Sequence, residues 1–344
     1  MRRVTLLSGV VAGLVVLALG LSACGGSSAE SAGGGQKAQK QVMLVTDFGF
    51  NGRHSYFYVA LDKGYYRDAG LDVKIERGNG SADAIKQVAA GQADVGFADA
   101  ATLVLARGNE QVPVKLVAVV YQRPAQAIFG LASSGMAKPQ DLAGRSVAAP
   151  AGSAVKAMFP LYAKKIGIPA NSVKWVIADA SAAPGLLATG KVDGTEQYTV
   201  GRALLEKAVS GKPLVEFAYK DAGLEYYSNG IVTTEKFIQD DPDTVRAFVG
   251  ATVRGMTYAF AHPREAGEIF HKHHPEIDAS VAQAETQAVQ DIAVTPETEA
   301  KGLGYMDPNI VRETVEAVKS SFDLKYPVQP NDLYVPGFVP KVGG

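Results

Sequence analysis

Short apolar runs alternate along the chain with longer stretches whose apolar positions recur at helical spacing. The run at 42–45 predicts a buried strand, and 55–66 predicts a helix with Tyr56, Val59, Ala60 and Lys63 on one side. Between them Gly49 and Gly52 mark a loop that carries Asp47, Phe48, Asn51 and His54. The alternation continues with strand 71–75, helix 82–90 capped by Ser81, strand 93–98, helix 100–107, strand 113–121 and strand 127–132. Strands that alternate with helices predict an α/β fold built on parallel sheets.

A second unit opens after Pro139: strand 145–149, a turn at Gly152 and Ser153, then helix 154–166. Pro160 is expected in or near the first turns of that helix, where a lost N–H donor matters least. The two halves share a pattern. Gly70-Leu71-Asp72-Val73 leads through a helix to Gly91-Gln92-Ala93-Asp94, and Ser172-Val173-Lys174-Trp175 leads through a helix to Gly190-Lys191-Val192-Asp193. One unit used twice predicts two similarly built lobes facing each other. A strand at 226–234 returns the chain, and helices at 242–260, 263–271, 279–292 and 309–322 are expected to cover the first lobe. Its sheet needs both faces buried.

Composition adds the compartment. The 344 residues suit two lobes, and a formal net charge of -1 leaves no electrostatic footprint for nucleic acid. Arg2 and Arg3 precede an apolar stretch, 10–21, that runs into Leu21-Ser22-Ala23-Cys24. A basic start, a short apolar core and small residues before a cleavage point read as an export signal over 1–24. The end resembles the lipobox of bacterial lipoproteins, which implies lipidation of Cys24. Cys24 is the sole cysteine, so no disulfide within the chain is expected. Residues 25–41, rich in Gly, Ser, Ala and Gln, are expected to be a flexible tether. The folded part is then held at the exported face of the cell membrane.

Asp47-Phe48-x-x-Asn51-x-x-His54 is similar to a motif of thiamine-pyrimidine-precursor binders, with Phe48 where a Trp is usual. With Gly64-Tyr65-Tyr66, Ala90-Gly91-Gln92-Ala93-Asp94-Val95-Gly96 and Pro242-x-x-Val245-Arg246-Ala247-Phe248, the chain resembles the substrate-binding proteins of ATP-driven importers. The branch concerned includes nitrate, sulfonate and thiamine-pyrimidine-precursor binding proteins. The resemblance implies a type II periplasmic-binding-protein fold: two parallel-rich sheets flanked by helices, joined by two crossover strands at 126–133 and 227–234. Lobe 1 is expected at 42–128 and 233–344, and lobe 2 at 129–232. It also implies a monomer that closes by hinge motion and delivers its ligand to a membrane permease.

The candidate ligand contacts are Asp47, Phe48, Asn51 and His54 in the first loop; Phe97 and Asp99 where the third strand ends; and Gln122 after the fourth. In the second lobe they are Gly152, Ser153, Glu196 and Tyr198, with Tyr227 and Asn229 in the return crossover. A carboxylate buried beside an anion costs several kcal/mol unless a cation compensates. Asp47, Asp99 and Glu196 therefore favour a nitrogen heterocycle with N–H donors over nitrate or a sulfonate, unless Arg53 or Arg123 turns inward. No catalytic residue, cofactor or metal is expected. His271-Lys272-His273-His274 reads as a solvated helix end favourable to the helix dipole.

Overall fold

The computed structural model describes residues 39–341. The export signal, Cys24 and nearly all of the expected tether lie outside them. The fold starts two residues earlier than expected, because Lys40 and Gln41 already pair with Leu71 and Asp72.

Lobe 1 begins with β1 (Lys40–Val45), α1 (Ser55–Asp62), α2 (Tyr65–Asp68), β2 (Leu71–Glu76), α3 (Ser81–Ala89), β3 (Val95–Asp99), α4 (Ala100–Glu110) and β4 (Val114–Val119). The chain crosses to lobe 2 through β5 (Gln126–Leu131), β6 (Ser146–Ala149), α5 (Ala154–Ile166), β7 (Lys174–Ile177), α6 (Ala183–Ala188), β8 (Gly194–Tyr198), α7 (Arg202–Ala208) and β9 (Leu214–Ala218). It returns by β10 (Asn229–Thr234). Helices α8 (Glu235–Asp240), α9 (Pro242–Ala261), α10 (Pro263–His273), α11 (Ala279–Ala293), α12 (Pro296–Lys301), α13 (Pro308–Lys319) and α14 (Pro330–Leu333) follow.

The repeat read in the sequence is a repeat of topology. The sheet orders are β2-β1-β3-β10-β4 and β7-β6-β8-β5-β9, so each strand has a counterpart. In each sheet the fourth strand is antiparallel to both neighbours and is the crossover strand. The expected lobe boundaries at 128/129 and 232/233 fall inside β5 and β10. Both strands lie wholly in the sheet they arrive at.

Three local expectations change. The single helix expected over 55–66 is two, because Gly64 adopts φ 75° and turns the chain between α1 and α2. Ser81 does not cap α3. Gly80 takes that position at φ 114°, and the Ser81 hydroxyl accepts the Asp99 N–H at 3.1 Å. Pro160 lies in the middle of α5 rather than its first turn.

The C-terminal helices cover lobe 1 as expected, with α9 and α10 packed on α1. Helix α11 does more, because it also packs against α7 of lobe 2. The lobes are closed on each other. The Ala82 N–H donates to the Gly152 carbonyl at 3.1 Å, and Gly80 lies directly on the Gly152 backbone.

Candidate functional site

The loop after β1 is shaped by its own hydrogen bonds. Thr46 Oγ1 donates to the Gly49 carbonyl at 2.7 Å, and Gly49 takes φ 53°. Asn51 Nδ2 donates to the Phe48 carbonyl at 2.6 Å. A single helical turn, Gly52–His54, then feeds α1. Gly52 is pressed onto α11, where a Cβ would come within 2.3 Å of the Ala282 Cα.

Inside this loop Asp47 is a hub. His54 Nε2 donates to Oδ1 at 2.9 Å, Asn229 Nδ2 donates to Oδ2 at 2.7 Å, and Arg53 Nη2 lies 2.9 Å from Oδ1. Burial alone would raise the Asp47 carboxyl, but Arg53 and His54 together outweigh it and hold it below the usual carboxylate range. Burial and then the Arg53 charge push His54 down to about 4, so it is neutral at pH 7. Arg53 points inward and is fully buried. Its Nη1 donates to the Tyr121 hydroxyl at 3.3 Å, and its guanidinium lies 4.9 Å from the centre of the Tyr198 ring. Nε has no hydrogen-bond partner, and Nη2, although close to Asp47, is not aligned to donate to it.

The cleft between the lobes has two compartments. The inner one is a void of ≈10 Å³ whose walls include Asp47, Arg53, Glu196 and Tyr198. That is at the limit of what one water needs. Glu196 accepts from Ser153 Oγ, the residue that caps α5, and burial pushes its carboxyl well above the usual range. The floor therefore carries one ionised pair, Asp47 with Arg53, and a carboxyl shifted towards its uncharged form.

The outer compartment is a chamber of ≈300 Å³ between the lobes. Phe48, Phe50 and Asn51 face it from lobe 1, and Pro184, Gln197 and Leu204 face it from lobe 2. Phe48 and Gln197 belong to both compartments. The Asn51 Oδ1 is buried and has no hydrogen-bond partner.

The structure thus brings Asp47, Phe48, Asn51, Glu196 and Tyr198 to cavity walls, with Ser153 immediately behind Glu196. The other expected contacts sit elsewhere. His54 and Asn229 hold Asp47 rather than line a cavity. Phe97 is core, packed edge-on against His54, Phe57 and Tyr121. Asp99 caps α4 through the Thr102 N–H and also accepts from Gln126 at 2.6 Å and Ser228 at 3.2 Å. Burial pushes its carboxyl up to about 6, against those hydrogen bonds. Gln122 turns to the Val119 and Tyr305 carbonyls. Gly152 is a lobe-to-lobe contact, and the Tyr227 hydroxyl accepts the Asp307 N–H at 2.8 Å on the helical side of lobe 1.

Sequence reasoning missed Phe50 and Leu204 as chamber walls, and Glu285 behind Arg53. For Glu285 a signal existed: it shares the helical stripe of Val281, Ala282 and Val289, so it faces inward. For the other two there was none.

A model of the family described as NMT1/THI5 like matches residues 51–266. The riboflavin-binding protein RibY of Chloroflexus aurantiacus is 28% identical over 313 residues, covering 89% of this chain and 88% of that protein. The formylaminopyrimidine-binding protein of Halalkalibacterium halodurans is 22% identical over 325 residues, 93% of this chain and 96% of that one. Among solved structures, the alkanesulfonate-binding protein SsuA of Xanthomonas axonopodis pv. citri, bound to MOPS, matches with a TM-score of 0.65 at 12% identity. That match covers 82% of this chain and 94% of the other. The likeness is one of fold: two lobes in the periplasmic-binding-protein arrangement.

Proposed function

Since this chain belongs to the NMT1/THI5-like family, we propose that it is the solute-binding protein of an ATP-driven importer and that it captures an uncharged nitrogen heterocycle in the outer chamber. The observation that carries the ligand reading is Asn51. Asn51, 2% exposed and with its side-chain oxygen unpartnered, lines the chamber together with two aromatic residues, Phe48 and Phe50. A buried acceptor left unpaired costs about 1–3 kcal/mol. A flat ring with an N–H edge satisfies it while stacking on Phe48. Both binding proteins named above take their names from ligands that contain a pyrimidine ring, which supports the same class here.

The charge balance agrees. Asp47 and Arg53 cancel, and Glu196 is shifted towards neutrality, so the floor gives an anion nothing to neutralise it. One observation favours a small anion such as a sulfonate: Arg53 Nε is a buried donor with no partner. Asp47 at 2.9 Å already offsets that charge, so the anion is the second reading. In the same proposal the chain sits outside the cell, tethered through lipid on Cys24, and hands its ligand to a permease without chemistry.

Calorimetry on the chain from residue 25 onward tests this, with riboflavin, 4-amino-5-hydroxymethyl-2-methylpyrimidine and MOPS as the three probes. At least one heterocycle should bind, and Asn51→Ala or Phe48→Ala should weaken it about tenfold or more. Binding of MOPS with neither heterocycle would overturn the reading.

A further inference from the structure

Glu285 lies on α11, wholly buried, and reaches neither compartment of the cleft. Its carboxylate is nevertheless shared between the lobes. Oε2 accepts the Arg53 N–H at 3.0 Å, and Oε1 accepts the Leu204 N–H at 3.2 Å. The Gly52 N–H also points to it. Gly52 and Arg53 open the helical turn that carries the ligand loop into α1, and Leu204 is in the first turn of α7. N–H groups at helix starts have no partner within the helix. One carboxylate therefore answers two such starts, one from each lobe.

The two sides of this arrangement differ in rigidity. Helix α11 is fixed to the ligand loop: Gly52 is pressed on Ala282, and the Ser55 and Thr286 hydroxyls are in contact. Of the bonds at this carboxylate, only the one to Leu204 spans to lobe 2; elsewhere the Ala82–Gly152 backbone bond also joins the lobes. The Lys207–Asp278 pair alongside it is solvent-exposed, where an ion pair contributes little. Between Asn79 and the Asp179–Ala180 segment the contacts are long, at 3.4 and 3.5 Å. We propose that Glu285 is an interlobe clasp: it holds the Arg53 backbone on one side and the start of α7 on the other, so that the ligand loop and lobe closure move together. Glu285 is a positioning residue. It touches no ligand, and it acts by fixing where Arg53 stands over Tyr198 when the lobes close. Opening exchanges the Leu204 N–H for water, so loss of the carboxylate's reach shifts the balance to the open form.

The test needs no ligand and so stands apart from the heterocycle reading. Spin labels are placed on Ser181→Cys and Glu276→Cys, on opposite walls of the chamber mouth, in a Cys24→Ser chain. Pulsed electron resonance then reads the interlobe distance. Glu285→Ala should lower the closed-to-open ratio about tenfold, 1.4 kcal/mol. Glu285→Asp keeps the carboxyl but is a methylene too short to bridge, and should do the same. Glu285→Gln, which keeps the length and one acceptor, should fall between. Leu204→Pro removes the lobe 2 donor, in the first turn of α7 where proline is tolerated; it also trims a chamber wall, on which this ligand-free distance does not depend, and it should match Glu285→Ala even if the Glu285 variants fold poorly. Unaltered distances in Glu285→Asp and Leu204→Pro, or a parent with no short-distance population, would overturn the clasp.

Discussion

The ionised pair on the cleft floor can be broken from one side. Asp47→Asn leaves the shape of the loop but removes the charge that offsets Arg53. Asp47 is 1% exposed and Arg53 0%, so the guanidinium is stranded away from water. Removing one partner of a buried pair costs about 3–5 kcal/mol. Two features set the value at the lower end. The amide oxygen of Asn keeps one of the two donors, His54 or Asn229, and the Glu285 carboxyl next to the Arg53 backbone, pushed up to about 7 by burial and so partly ionised at pH 7, supplies part of the missing charge. A loss of ~3 kcal/mol is a large part of a typical ~5–15 kcal/mol. It is read by urea unfolding of the ligand-free chain at pH 7, followed by circular dichroism. Adding Arg53→Met should recover part of the loss, since an apolar replacement of a whole buried pair is often close to neutral. A single variant within ~0.5 kcal/mol of the parent, or a double variant no better than the single, would refute the account of the pair. The same substitution checks the ligand argument. With Asp47 neutral, the floor carries one uncancelled positive charge, so MOPS should bind Asp47→Asn more tightly than the parent. If its affinity does not rise, cancellation of charge is not what excludes anions.

Two further perturbations follow from backbone and burial. Gly80→Ala puts a Cβ within 2.3 Å of the Gly152 carbonyl carbon, at a φ of 114° that side chains avoid. The lobes should then fail to close, and calorimetry should show about tenfold or more loss of affinity for whichever heterocycle the parent binds, equivalent to 1.4 kcal/mol or more. Parent-like affinity would mean that this contact does not limit closure. His54 is held near 4 in the fold against an ordinary 6.5, so the unfolded chain takes up the proton first. The stability it supports is present above 6.5 and lost as pH falls towards 4. Asp99, pushed up to about 6 from 3.8, works the other way: its contribution is present below 3.8 and lost as pH rises through about 6. Urea unfolding of His54→Gln between pH 6.5 and 4.5 should show a shallower acid-side loss than the parent, and equal slopes would refute a buried neutral His54.

The repeat of Gly-x-x-Asp before a short strand was legible because it marks the same place in both lobes. Asp94 precedes β3 and Asp193 precedes β8, and each carboxylate accepts a backbone N–H from the neighbouring strand, Met43 and Ser146. The direction of Arg53 was not legible. A single helical turn between loop and α1 rotates the facing of 52–54, and no hydrophobic period extends over three residues to fix it. Tyr227 and Gln122 were assigned to the cleft from their positions at strand ends. Such ends face either the partner lobe or the covering helices, and only the packing of α13 and the loop at Tyr305 decides which. Asp99 read equally as a cap or a ligand acceptor, and its bonds to Thr102, Gln126 and Ser228 leave it committed to the fold.

If the cleft binds as proposed, selectivity should rest with the chamber walls rather than its floor. The polar floor groups answer one another: Asp47 takes His54, Asn229 and Arg53, and Glu196 takes Ser153. The space left among them is ≈10 Å³, too little for a ring. These groups come from strand ends and helix starts that both lobes need in order to close, so changing one disturbs closure as much as recognition. Phe50 also packs on Tyr58 and His274, whereas Phe48, Asn51 and Pro184 have lighter duties: the Asn51 bond to Phe48, the Phe48–Asn79 bridge and the first turn of α6. They are free to change ring size, edge chemistry and depth at little cost to the fold. Phe48 in place of a larger indole widens the chamber on its lobe 1 side. On this argument, exchanging Phe48 for Trp should shift preference towards the smaller pyrimidine probe and away from riboflavin while leaving the urea midpoint unmoved. A change in both affinities by the same factor would place selectivity back on the floor.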